Sequence, residues 1–130
     1  MDRAALRRND LVADTNTKKG TTPMAQEPSR AQQLLGDLAP KMVQLTDDVL
    51  FGDVWKREGL SPRDRSLITV SVLAATYRPE QLNSHLRLAL ENGLSQDELV
   101  EALTHLAFYA GWPSGMGALT QLRAIVESDV

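Results

Sequence analysis

Two histidines are the side chains in this sequence best suited to proton chemistry. His85 and His105 are the only histidines among the 130 residues. Histidine has an unperturbed pKa near neutral pH, so either ring can exchange a proton or donate a hydrogen bond under physiological conditions. A lone histidine on a helix more often makes a structural hydrogen bond, and spacing alone favours that interpretation for each of them.

Two arginines could bind an anion in the same region. Arg87 follows His85 by two residues and therefore projects from a different side of the same predicted helix, whereas Arg65 lies in the first turn of the preceding helix. A guanidinium can bind a carboxylate through two parallel hydrogen bonds. A surface or intersubunit ion pair is the alternative for each arginine, and the sequence leaves both open.

Metal and nucleotide sites are poorly supported by the spacing of residues. No HxxxH or HxxE pattern places two metal ligands on one helix. The chain has no cysteine, which excludes thiolate ligands, disulfides and a cysteine nucleophile. Gly111, Gly115 and Gly117 match neither GxGxxG after a strand nor a GxxxxGKS or GxxxxGKT loop. We therefore expect no metal site and no nucleotide-binding loop.

The elements that would position these residues are predicted to be helices. From Ser29 onward apolar residues recur with the helical period, and no convincing strand appears. Capping serines, first-turn prolines and terminal glycines mark the boundaries. They predict a short turn near 34–38 and helices at about 41–51, 63–77, 79–92, 96–110 and from 114 onward. The expected fold class is all-α, with five to six helices in a single domain.

The predicted helix at 63–77 is apolar on nearly every side, which is typical of a helix at the centre of a core or between subunits. About 100 ordered residues give a thin core for a monomer, because small domains bury a smaller fraction of their surface. We therefore expect the protein to form an oligomer.

Composition divides the chain and limits its partners. Residues 1–28 are expected to be a flexible N-terminal extension or tag, and residues 29–130 the helical domain. The net charge is −3, and residues 24–130 carry nine basic against fourteen acidic side chains, which argues against a nucleic-acid surface. No apolar run is long enough to span a membrane, and no secretory leader is recognisable. We expect a cytoplasmic protein that binds neither nucleic acid nor membrane.

Three segments resemble a known family: FGDVW (51–55), LSPRDRSLITVSVLAA (60–75) and RPEQLNSHLRLALENGLSQDELVEALTHLAFYAGWP (78–113). On these segments the chain is identified as a member of the carboxymuconolactone decarboxylase family, which is related to the alkyl hydroperoxidase D-like fold. The resemblance implies an all-helical subunit, a dimer building block that commonly assembles into hexameric rings, and sites near subunit contacts. The implied partner is therefore a second copy of the chain.

The resemblance also implies an activity. One branch of the family is a thiol peroxidase with a CxxCxxxH motif, and Arg78 and Gln81 stand where its cysteines would precede His85, so that activity is excluded. The other branch converts 4-carboxymuconolactone to 3-oxoadipate enol-lactone in aromatic catabolism. The implied function is thus a cofactor-independent decarboxylase of that lactone or a related small anionic lactone. A non-catalytic helical assembly or binding protein is the alternative.

The decarboxylase branch suggests roles for residues at matching positions. His85 is expected to donate a proton to carbon, and Arg65 and Arg87 are expected to bind the carboxylate or the developing oxyanion. His105 would support the site. Tyr109 and Trp112 complete the expected substrate-binding set, with packing in the core or at an interface as their alternative role.

Overall fold

The computed structural model describes residues 27–128, and every regular element in that range is helical. The α-helices are α1 (Arg30–Leu35), α2 (Pro40–Gln44), α3 (Pro62–Ala75), α4 (Pro79–Glu91), α5 (Gln96–Ala110) and α6 (Trp112–Ser128). A π-helix (Leu45–Leu50) follows α2, and a 3₁₀ helix (Val54–Lys56) precedes α3. The described residues contain no strand, so the all-α prediction with five to six helices is confirmed. The predicted extension, residues 1–28, lies outside the described range except for its last two residues.

The chain divides into two compact units between Val43 and Gln44. The described part of the first unit holds α1 and nearly all of α2. The Ser29 hydroxyl caps α1 by accepting a hydrogen bond from the Gln32 N–H at 3.0 Å. The second unit carries the remaining elements and every residue for which a functional role was predicted.

The prediction of one continuous α-helix at about 41–51 is wrong, because only its first part is α-helical. After Gln44 the backbone widens into the π-helix, and the Phe51 N–H donates to the Thr46 carbonyl five residues earlier, at 3.0 Å. The large apolar side chains of this segment are exposed, at Met42, Leu45, Val49 and Leu50. Single π turns inside helices are frequent at functional sites, and this one ends directly at an aromatic residue of the candidate site.

Helices α3 to α6 form the hydrophobic core, in which α3 and α6 each contact the other three. Its buried members are Val70, Ala74, Leu82, Leu86, Ala89, Leu94, Leu99, Leu103, Ala118, Leu122 and Ile125. Burying one leucine or isoleucine side chain stabilises the fold by about 1.5–3 kcal/mol before the entropy of ordering is counted. This core fixes the axes of α3, which carries Arg65, and α4, which carries His85.

Local signals in the sequence set the helix ends. Ser61 caps α3 by accepting a hydrogen bond from the Asp64 N–H at 3.1 Å, and a capping box between Ser95 and Glu98 begins α5. A hydrogen bond from the Ser95 backbone, aided by the nearby Arg63 guanidinium, holds the pKa of the Glu98 carboxyl below its usual value. Arg63 also forms an ion pair with Glu98, so the N-termini of α3 and α5 are joined.

Helix α3 is only half covered by the chain itself. Val70 and Ala74 are buried, whereas Ile68 and Val72 are 52% and 53% exposed. The prediction of a helix with apolar residues on nearly every side therefore describes a helix with one side in the core and another at the surface. Within residues 27–128, no helix combines the length and apolar character needed to cross a membrane.

Candidate active site

His85 lies in a stack of three rings with Phe51 and Trp55. The ring centroids of His85 are 6.3 Å from Phe51 and 6.0 Å from Trp55, and the two aromatic rings are 5.6 Å apart. All three planes lie within 27° of one another, the offset-stacked arrangement that aromatic rings favour. We call this group the three-ring stack. The two aromatic rings pack beside each other and both contact the imidazole, which restricts the orientation of its ring.

A tight turn at Gly52 brings Phe51 and Trp55 to the same side. A Cβ at position 52 would lie 2.5 Å from the Asp48 carbonyl oxygen and 2.8 Å from that of Asp47, closer than real Cβ atoms approach. Only glycine allows the chain to pass this close to the end of the π-helix. The FGDVW segment is thus a folding unit that presents two rings to α4.

The two nitrogens of His85 differ in their surroundings. The imidazole is half-buried, and its Nδ1 is fully buried without a hydrogen-bond partner among the described residues. Burial lowers the pKa of His85 below its usual value, because the charged imidazolium would lose hydration. Burial therefore favours the neutral imidazole, and because Nδ1 is enclosed by the protein, Nε2 is the nitrogen left to contact a ligand.

Arg65 is the fourth residue of α3, at the end of its first turn, and is hydrogen-bonded to the segment that carries Trp55. Its Nη2 donates to the Arg57 carbonyl at 3.1 Å, just after the 3₁₀ helix. The Arg65 side chain is partly buried, and its Nε is fully buried without a partner in the described range. A guanidinium cannot release its proton, so the site keeps a fixed positive charge suited to an anion.

A partly buried hydrogen bond joins α3 to the residue that follows α4. The Asn92 side-chain amide donates to the Ser66 hydroxyl at 3.0 Å, and Ser66 is completely buried. Ser66 follows Arg65 directly, so the bond fixes the register of the helix turn that carries the guanidinium. The sequence-based interpretation did not include this pair, because nothing in the local pattern joins positions that lie so far apart in the chain.

The other predicted site residues lie elsewhere on the second unit. His105 stacks on Tyr109 at 5.1 Å, and Phe108 meets Trp112 edge to face at 5.7 Å. Phe108, Tyr109 and Trp112 are 73%, 83% and 60% exposed. We call these three residues and His105 the exposed aromatic group. Among residues 27–128, no ring contact or hydrogen bond joins this group to His85.

Arg87 is exposed on α4 and lies outside the three-ring stack. His85 thus contacts Phe51 and Trp55 of the FGDVW segment, and Arg65 is hydrogen-bonded to Arg57, two residues after that segment. Phe51 and Trp55 had not been expected as site residues, although their segment had been recognised as distinctive. In the part of the chain that the structure describes, no three His, Asp or Glu residues lie close enough together to hold a metal ion.

Comparison with known proteins gives concordant results. Residues 40–124 match the profile of the carboxymuconolactone decarboxylase family. The chain is 36% identical over 99 residues to 4-carboxymuconolactone decarboxylase from Acinetobacter baylyi, covering 76% of this chain and 74% of that protein. It is also 36% identical over 87 residues to nitrosuccinic acid decarboxylase from Metarhizium robertsii, covering 67% of this chain and 61% of that protein. An uncharacterised 15.0 kDa protein from Paracoccus denitrificans is 28% identical over 85 residues, or 63% of each chain.

Proposed function

The chain belongs to the carboxymuconolactone decarboxylase family, and on that premise we propose that it is a cofactor-independent carboxy-lyase. Two relatives are named as decarboxylases, each of a small carboxylic acid. The proposed substrate is 4-carboxymuconolactone or a related small anionic lactone formed during the breakdown of aromatic compounds.

The proposed reaction needs an electron acceptor in the substrate rather than a cofactor. In 4-carboxymuconolactone the leaving carboxylate is attached to a carbon that is joined, through a double bond, to the lactone carbonyl. When the bond to this carboxylate breaks, its electron pair spreads onto the carbonyl oxygen. In nitrosuccinic acid the nitro group can take the pair in the same way. A second carboxylate remains on both molecules, so the protein must bind one anion and stabilise another.

Arg65 is the residue best placed to hold the remaining carboxylate. Its guanidinium is fixed by the Arg57 carbonyl and joins α3 to the segment that carries Trp55. The single observation that supports the site most strongly is the three-ring stack, because it orients His85 beside this segment. We propose Arg87 as a second anion-binding residue on the exposed side of α4.

The exposed aromatic group supports an assembled protein. Three large rings with 60% or more of their surface exposed form an unusual feature on a small domain, and aromatic residues are enriched at subunit contacts. We propose that this surface and the exposed side of α3 contact other copies of the chain, in a dimer that builds a hexamer. His105, Tyr109 and Trp112 would serve the substrate site in that assembly.

The test of the activity is a carbon dioxide release assay with purified protein. Each of 4-carboxymuconolactone and nitrosuccinate is incubated with the wild-type chain, and loss of substrate is followed by absorbance. The proposal predicts one carbon dioxide released for each lactone consumed. No release from either substrate by folded protein would contradict it and favour the alternative, a non-catalytic helical assembly or binding protein.

A further inference from the structure

The imidazole of His85 can present only one of its nitrogens to a ligand. Nδ1 is buried and has no hydrogen-bond partner in residues 27–128, while the ring as a whole is half-buried. The neighbouring rings of Phe51 and Trp55 offer no acceptor to either nitrogen, because phenylalanine has no polar side-chain atom and the indole N–H only donates. Nε2 is therefore the nitrogen that meets solvent or substrate.

The position of the proton follows from this asymmetry. A neutral imidazole carries one N–H and one lone pair. A proton on Nδ1 would be a buried donor without an acceptor, which costs about 1–3 kcal/mol. Orphaned buried N–H groups are rarer in proteins than under-satisfied acceptors, so the lone pair is the better occupant of the buried edge. The proton then resides on Nε2, where water or a ligand oxygen can accept it.

We propose that His85 works as a neutral hydrogen-bond donor, through its Nε2–H, to the substrate oxygen on which negative charge develops. This inference rests on the decarboxylase function proposed above and changes the role first expected for His85, the donation of a proton to carbon. A neutral imidazole is a very weak acid but an effective donor to an oxyanion, and other enzymes use histidine in this way.

The steps balance without a proton from His85. The carbon–carbon bond to the leaving carboxylate breaks and carbon dioxide departs. The electron pair of this bond moves to the lactone carbonyl oxygen, which accepts the hydrogen bond from the Nε2–H. The electron pair then returns from the carbonyl oxygen to carbon, which takes a proton from a water molecule to form the new carbon–hydrogen bond. The hydroxide left behind combines with the departed carbon dioxide as bicarbonate, so charge and atoms balance. The imidazole begins and ends the cycle with its proton on Nε2. Burial of the ring, which lowers its pKa, favours this neutral form throughout.

Three substitutions separate a hydrogen-bond donor from a proton donor. The amide nitrogen of glutamine can occupy the place of Nε2, whereas that of asparagine reaches only the place of Nδ1. Neither amide can transfer a proton to carbon at neutral pH. We expect His85→Gln to retain carbon dioxide release within about tenfold of wild type, and His85→Asn and His85→Ala to lose about 10²–10³-fold, as when an oxyanion donor is removed. A His85→Gln variant as slow as His85→Ala would overturn the proposal.

A second measurement locates the proton without turnover. Nitrogen-15 spectra of protein labelled at histidine, with the His105 signals assigned from a His105→Gln variant, distinguish the two tautomers. The expected state between pH 6.5 and 8 is protonated Nε2 and unprotonated Nδ1. A proton on Nδ1 in that range would overturn the inference even if the enzyme is active. If the wild type releases no carbon dioxide, the decarboxylase function and the oxyanion role both fail, while the spectra still decide the tautomer.

Discussion

At the scale of single residues, the candidate site depends on groups that the fold leaves without partners. Nδ1 of His85 and Nε of Arg65 are buried and unpaired in the described part of the chain, although buried polar atoms in proteins are normally hydrogen-bonded. Each of these two side chains has a further nitrogen that can bind a ligand. Such groups are more often retained at functional sites than in structural cores.

The lowered pKa of His85 makes stability depend on pH in a defined direction. The unfolded chain binds a proton at His85 near pH 6.5, whereas the folded chain does so only at lower pH. Between these values the unfolded state holds more protons, so the free energy of unfolding falls as pH falls. We expect the melting temperature of the wild type to drop more steeply from pH 7.5 to pH 5.5 than that of His85→Gln.

Circular dichroism melting curves at several pH values measure this difference. His105 and all carboxylates are present in both proteins, so only the contribution of His85 is removed by the substitution. Parallel curves for the two proteins would show that the folded and unfolded states bind the His85 proton equally, contrary to the environment described for the ring.

At the scale of elements, the FGDVW turn connects sequence to site. The π-helix ends at Phe51, Gly52 passes close to the preceding carbonyls, and Trp55 follows in the 3₁₀ helix. The helical period predicted a helix here but not its π form, because six residues are too few to separate the two periods. The stack on His85 was beyond prediction from sequence, since it depends on how this turn packs against α4.

Substitution of Gly52 tests whether the turn needs glycine. A Cβ 2.5 Å from the Asp48 oxygen forces the backbone to shift, so we expect Gly52→Ala to lower the free energy of unfolding by about 1–3 kcal/mol and to slow carbon dioxide release. Gly59→Ala is the matched control, because no heavy atom lies within 4 Å of a Cβ built there. Urea denaturation measures both, and equal stability of the two variants would refute the close approach at Gly52.

Other elements were predictable because their signals are local. The capping box at Ser95 and Glu98 and the glycine at 111 fixed α5 at its predicted limits, Gln96–Ala110. Helix α6 begins at Trp112, two residues before the expected start, because Pro113 is tolerated in a first helical turn. What local signals could not indicate were the pairs made across helices, such as Asn92 with Ser66.

At the scale of the whole molecule, the single chain leaves much apolar surface exposed. Ile68 and Val72 on α3 and the exposed aromatic group on α5 and α6 are examples. A monomer would expose these side chains to water at a cost proportional to their area, which association would remove. The family resemblance independently predicts that the chain associates with other copies of itself.

Replacing one exposed ring tests the assembly. We expect wild-type protein at micromolar concentration to show a mass that is a multiple of 14.3 kDa in light scattering. Trp112→Ser should shift the mass toward a single chain, because it removes a large aromatic contact. Arg123→Ala, which alters an exposed ion pair with Glu127 on α6, is the control and should leave the mass unchanged. A wild-type mass of one chain would contradict the proposed oligomer.

The central claim is that this chain decarboxylates a small anion at the site formed by His85 and Arg65. Its most direct test is the initial rate of carbon dioxide release from 4-carboxymuconolactone by wild type, Arg65→Ala and Arg123→Ala, each shown to be folded by circular dichroism. The account predicts release by wild type and Arg123→Ala at similar rates, and a loss of about 10²-fold or more in Arg65→Ala, whose substrate is no longer held in place. No release by wild type, or equal rates for the two arginine variants, would contradict it.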